Sequence, residues 1–176
     1  GVGGVGAALV PWARALGARV IGVVSSAEKA AIAKGYGCNA VILSSEDVAA
    51  RVRELTEGRG VKTSFDGVGK TSAEASLKSL MPRGLFISFG NASGPVDPIA
   101  PLRLSQGGSL FMTRPTLFHY TATDADLARG AAALFGAIAS DTLKADIGQR
   151  FALKDAAMAH SALEARRTVG ASLLLP

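Results

Sequence analysis

The chain is short of cysteine, histidine, aromatic residues and clustered charge, and each shortage excludes something. One cysteine among 176 residues, Cys38, excludes an internal disulfide framework and a cysteine-based zinc cluster. Cys38 falls between a predicted helix and a predicted strand and reads as a small packed residue. The two histidines, His119 and His160, stand far apart, so neither a metal centre nor a catalytic triad is expected from them. Aromatic residues make up 6% of the chain, and the net charge of +5 is spread through interleaved acids and bases with no run of five like charges. That pattern argues against base-stacking platforms and a basic nucleic-acid stripe, so no nucleic-acid partner is expected. Apolar runs are interrupted by Gly, Ser or charge well before the length of a membrane span. The first residue is Gly1, with neither Met nor a signal peptide. The chain is therefore expected to be a piece of a longer cytoplasmic protein.

What is present suits one ordinary α/β domain. Hydrophobic residues reach 48%, and glycines number 21. Val5, Leu9, Trp12 and Leu16 recur at spacings of three and four, which predicts a helix over 5–17, bent at Pro11 and closed by Gly17. Arg19–Val24 reads as a buried strand. Ser26 caps a helix to about residue 36, Ala40–Leu43 is a short strand, and Ser44 or Ser45 caps a helix of about 46–56. Val61–Phe65 and Leu85–Phe89 are further strands, separated by a helix of roughly 71–81 and a Met81–Gly84 turn. The proline-rich 91–122 stretch reads as loop around a short strand at Ser109–Thr113. A helix over 123–139, a brief strand at Gln149–Phe151, a helix over 154–165 and a strand at Ala171–Leu175 complete the pattern. Such alternation predicts a doubly wound parallel sheet with helices on both faces, and no linker divides the chain.

Three features carry chemistry. Gly1-Val2-Gly3-Gly4-Val5-Gly6 fits G-x-G-x-x-G and runs into the first helix. Glycines there admit a tight turn and close approach of a pyrophosphate, and the helix start offers free N–H groups to it. The strand that should precede this motif is missing from the chain. At the tip of the next strand, Ser25 and Lys29 stand where an NAD-selective site carries an acid. Hydroxyl and ammonium suit a 2′-phosphate, although Ser26 and Lys29 also read as a helix cap and a solvated helix residue. Asp66-Gly67-Val68-Gly69 and Ser88-Phe89-Gly90-Asn91 end two strands, at the edge where open parallel sheets bind ligands. Each reads equally as turn chemistry.

The stretches GGVGAALVPWARALGARVIGVVSSAEKAA, DGVGK, PRGLFISFGNASGPV, LSQGGSLFMTRPTLFHYTAT and LEARRTVGASLLLP together resemble the zeta-crystallin-like NADPH:quinone oxidoreductases, a zinc-free branch of the medium-chain dehydrogenase/reductase superfamily. The resemblance covers essentially the whole chain. It implies a Rossmann-type NADPH-binding domain over 1–176, with a C-terminal return segment and with the GroES-like catalytic domain absent. It implies that Gly3, Gly4, Val5 and Gly6 cradle the pyrophosphate and that Ser25 and Lys29 hold the 2′-phosphate. Ser44 would stand where relatives often have a tyrosine, and Gly67 where a serine is common. Phe89 and Asn91 would lie by the nicotinamide, and Arg166 would reach the cofactor from the C-terminal segment. The implied reaction is hydride transfer from NADPH to a quinone, with no metal. The implied assembly is a homodimer through the strand near Ser109–Thr113. Alone, the chain would bind NADPH weakly or not at all and reduce quinones negligibly. Another zinc-free reductase, such as an enoyl-thioester reductase, and a non-catalytic NADPH- or RNA-binding relative are the alternatives.

Overall fold

The structure is a computed structural model that describes residues 3–144, 147–165, 167–168 and 170–176. Its chain folds into two compact units, Gly1–Leu43 with Ala131–Pro176, and Ser44–Gly130. Helix α7, Asp124–Ala139, begins in the second stretch of sequence and ends in the first. The Thr123 hydroxyl caps it, accepting from the Asp126 amide at 3.1 Å.

In the unit containing the amino-terminal stretch, α1 (Gly4–Ala15) leads to β1 (Ile21–Val24), α2 (Ala27–Gly35) and β2 (Ala40–Leu43). β1 and β2 pair in parallel from Ile21 opposite Ala40 to Val24 opposite Leu43. Val10, Val24, Ala33 and Cys38 form the buried cluster beside them. Cys38 is thus a packing residue, and burial pushes its thiol above the usual range. Gly22 is needed there, because a Cβ on it would approach the Cys38 sulfur to 2.9 Å. The sequence through Pro11 stays helical. In the carboxy-terminal stretch of the same unit, β6 (Ile147–Ala152) leads through a 3-10 turn (Leu153–Asp155) and α8 (Ala156–Glu164) to β7 (Ala171–Leu175). These two strands are also parallel.

The other unit runs α3 (Val48–Leu55), β3 (Val61–Asp66), α4 (Ala73–Lys78), β4 (Leu80–Ser88), α5 (Pro101–Gln106), β5 (Phe111–Thr113) and α6 (Leu117–Tyr120). Its sheet has the order β3-β4-β5, and both pairings are parallel. Ala73, Leu77, Leu80, Phe86 and Leu110 are buried beneath it, with Val61, Val96, Ile99 and Leu104 packed against them. Arg53 braces one end of this core by donating to the carbonyls of Gly58, Arg59, Lys78 and Leu80.

All the pairings described are parallel, so the α/β, Rossmann-type expectation stands. Several local expectations do not. Asp47, not Ser44 or Ser45, caps α3, accepting from the Ala50 amide at 3.0 Å. Met81–Gly84 is no turn between elements but a bulge inside β4. Val61 faces Leu80 and Thr63 faces Leu85, so the extra residues loop out, with Arg83 at φ +61°. Helix α4 is correspondingly shorter than 71–81. The 91–122 stretch holds two helices as well as its strand. Pro101 opens α5 at its first turn, where a missing N–H costs nothing. Phe86 is fully buried in the central strand. Phe86→Ala therefore destabilises the chain by about 3–5 kcal/mol in urea unfolding.

Candidate functional site

Helix α1 offers an open amino terminus. Gly3 supplies no capping side chain, and no acid stands in the first turn. Gly3, Gly4 and Val5 are exposed, and a Cβ on Gly3 or Gly4 would meet nothing within 4 Å. The first N–H groups therefore remain available, with the positive end of a 12-residue helix behind them. Gly6 continues that first turn. At the tip of β1, the Ser26 hydroxyl caps α2 by accepting from the Lys29 amide at 3.4 Å. The Lys29 ammonium meanwhile donates to the Ser25 hydroxyl at 3.3 Å. The cap and the Ser25–Lys29 pair thus coexist in one turn. Glu28 shares that turn, its carboxyl held below the usual range by the Ser26 hydroxyl. Ser44 is exposed immediately after β2.

In the three-stranded unit, the ends of β3 and β4 form one interlocked structure. Phe89 N–H donates to the Asp66 carbonyl at 2.8 Å, Ser93 N–H to Val68 at 2.7 Å, and Lys70 N–H to Gly94 at 3.0 Å. Glycine is required where the turns touch. A Cβ on Gly90 would collide with the Gly67 backbone, and one on Gly69, at φ +92°, with the Gly94 carbonyl. Gly67 lies under the Phe89 ring, and a Cβ there would come within 2.8 Å of the ring carbons. A serine at 67 would require that ring to move. Asn91 is exposed on the rim, its Cα 3.2 Å from where a Gly69 Cβ would lie.

Beneath this knot sits Asp66, only 4% exposed. Its Oδ1 accepts from Val68 N–H at 2.8 Å, Gly69 N–H at 3.0 Å and the Ser72 hydroxyl at 2.8 Å. Its Oδ2 accepts from Ser72 and Ser76 hydroxyls, each at 2.7 Å. Burial alone would raise the Asp66 carboxyl, but these donors outweigh it and hold it below the usual range. Sequence reasoning named the Asp66–Gly69 turn and missed the carboxylate's role. A signal was present: Ser72 and Ser76 are four apart, on one face of the α4 start.

The structure brings Ser25 and Lys29 together, and Gly67, Phe89 and Asn91 together. Arg166 lies outside the described residues. Among the described residues no group of three or more His, Cys, Asp or Glu is placed to hold a metal ion. None of their helices is long and apolar enough to cross a membrane. An uncapped helix start and a hydroxyl–ammonium pair fit the phosphates of a dinucleotide. A zinc ion finds no such fit among the described residues.

The sequence profile of the zinc-binding dehydrogenases matches residues 4–137. A quinone oxidoreductase of Pseudomonas aeruginosa is 50% identical over 99% of the chain, which covers 54% of that protein. A 2-haloacrylate reductase of a Burkholderia species is 44% identical over 99% of the chain and 53% of its own length. The chain thus spans about half the length of the curated relatives it matches. Among solved structures, Escherichia coli quinone oxidoreductase complexed with NADPH superposes with a TM-score of 0.93 at 44% identity, over 99% of this chain and 55% of that one.

Asp66 gives a pH prediction. Its folded pKa lies below the unfolded value of about 3.9, so the ionised carboxylate stabilises the fold at neutral pH. That contribution is lost as pH falls from about 4 through the folded value. Asp66→Ala should cost about 1–3 kcal/mol at pH 7, and Asp66→Asn should flatten the acid limb of a stability–pH curve measured by urea unfolding.

Proposed function

The chain belongs to the zinc-binding dehydrogenase family, and on that premise we propose that it is the NADPH-binding part of a zinc-independent quinone oxidoreductase. The observation that carries the reading is the tip of β1, where the Lys29 ammonium is hydrogen-bonded to the Ser25 hydroxyl at 3.3 Å. A dinucleotide with a free ribose 2′-hydroxyl is matched there by an acid, whereas a 2′-phosphate is matched by donors and a cation. The quinone oxidoreductase relatives and the NADPH complex of one of them support the same assignment.

Each residue then has a task. The exposed amides at Gly3, Gly4, Val5 and Gly6 bind the pyrophosphate at the α1 start. Ser25 and Lys29 bind the 2′-phosphate, and the Ser44 hydroxyl serves the adenosine end. Phe89, seated over Gly67, walls the nicotinamide, and the Asn91 amide hydrogen-bonds at its rim. Arg166 is assigned to the cofactor from the carboxy-terminal segment. NADPH, when bound, supplies the hydride; this chain binds it, orients it and keeps water from one side of it. The groups that hold the acceptor belong to a separate catalytic domain. Phe111 and Met112 are exposed on the edge strand β5, and that edge is assigned to a homodimer contact. The Burkholderia relative keeps an activated alkene as a second acceptor class. A quinone and a haloacrylate share an electron-poor π system that accepts hydride.

In the two-domain protein, NADPH oxidation should depend on a quinone such as 1,2-naphthoquinone. Lys29→Ala should weaken NADPH about tenfold while leaving NADH nearly unchanged, as measured by cofactor fluorescence titration. Equal losses for the two cofactors would remove Lys29 from the 2′-phosphate site, and NADH-only turnover would contradict the cofactor assignment.

A further inference from the structure

One basic residue at the carboxyl edge of the three-stranded sheet has no part in the cofactor site. Arg114 Nη1 donates to the Ser88 carbonyl at 2.8 Å. Strand register explains why a side chain, and not the backbone, makes this bond. β4 and β5 pair in parallel as far as Ile87 opposite Thr113. On its other side β4 continues one step further, with Ser88 opposite Asp66 and Phe89 N–H donating to the Asp66 carbonyl at 2.8 Å. The trans peptide between Ser88 and Phe89 turns the Ser88 carbonyl away from that amide, toward β5. The next backbone donor on that side would be residue 115. It is Pro115 and has no N–H. The Arg114 guanidinium stands in for the missing donor.

The exchange matters because Ser88 is buried, and a buried carbonyl without a partner is costly. It also matters because of the residues beyond Ser88. Phe89, Gly90 and Asn91 leave the strand there, and their direction is fixed by two bonds across one peptide. The Phe89 amide is held by β3, and the Ser88 carbonyl by Arg114. Arg53 offers a contrast, since its terminal nitrogens are spread over several carbonyls inside one brace. Arg114 makes this single hydrogen bond among the described residues and is otherwise exposed.

We propose that Arg114 is a positioning residue: by replacing the donor that Pro115 lacks, it fixes the exit of β4 and so the placement of the Phe89 ring and the Asn91 amide. The clamp stands on the geometry alone, and its consequence for cofactor binding rests on the NADPH reading. The clamp makes a specific demand. Returning a backbone donor at position 115 should compensate for losing the guanidinium, which a merely structural arginine would not allow.

The test uses the two-domain protein as wild type, as Arg114→Ala, and as Arg114→Ala combined with Pro115→Ala. Amide hydrogen exchange over residues 89–94 and NADPH affinity are read for each. Arg114→Ala should raise exchange over 89–94 and weaken NADPH about tenfold. The double variant should recover most of both. An Arg114→Ala protein that exchanges and binds like wild type overturns the proposal, and so does a double variant with no recovery. If the wild type binds no NADPH, the cofactor reading falls, and the exchange comparison still decides the clamp.

Discussion

The Asp66 carboxylate is the constraint on which the turns at the carboxyl edge of the three-stranded unit depend. It is a buried anion at the end of β3, and its desolvation is offset by two backbone N–H groups and two serine hydroxyls. Because the backbone donors come from Val68 and Gly69, the carboxylate cannot be satisfied unless the turn folds back over it. Because the hydroxyls come from Ser72 and Ser76, it also joins that turn to the start of α4. One ionised group therefore sets where the β3 turn runs.

The second turn is built against the first. With the Asp66–Gly69 loop fixed, a side chain on Gly90 would strike the Gly67 backbone and one on Gly69 the Gly94 carbonyl. Backbone bonds from Phe89, Ser93 and Lys70 close the pair. Close approach of this kind is available only to glycine, which explains why both strand ends are glycine-rich without appeal to a ligand. Above the knot lie a half-buried aromatic ring over a bare glycine and an exposed primary amide beside it, the groups proposed to meet a ligand. Structural and functional readings of these turns are thus not rivals: the turn chemistry is what holds the presenting groups still.

The amino-acid sequence made the repeating strand–helix plan plain, and with it the parallel sheet, because hydrophobic runs mark β2 and β7 to the residue and β1 to within two residues at its start. Ser26 was equally legible as a cap. The cap of α3 was not: Ser44 or Ser45 was expected, but Asp47, a residue type that caps as well, holds that place. Pro82 and Pro101 misled for the opposite reason. Proline is read as a breaker, yet it is tolerated in a bulge and at a helix start. Asp66 and Arg114 were hidden because each role depends on partners in other elements: serines on α4 for one, and a buried carbonyl on β4 for the other. The Ser72–Ser76 spacing marks a donor face without naming its acceptor, and nothing local points from Arg114 to the Ser88 carbonyl.

The proposed task of this fixed strand-end structure is to present Phe89 and Asn91 to a dinucleotide. Hydrogen exchange of the proposed two-domain protein with and without saturating NADPH tests that role most directly. Added protection is predicted over residues 3–6, 25–29, 67–70 and 89–91, with the buried cluster around Phe86 unchanged. Protection confined to other segments, with the 67–70 and 89–91 turns exchanging as in the free protein, would contradict it.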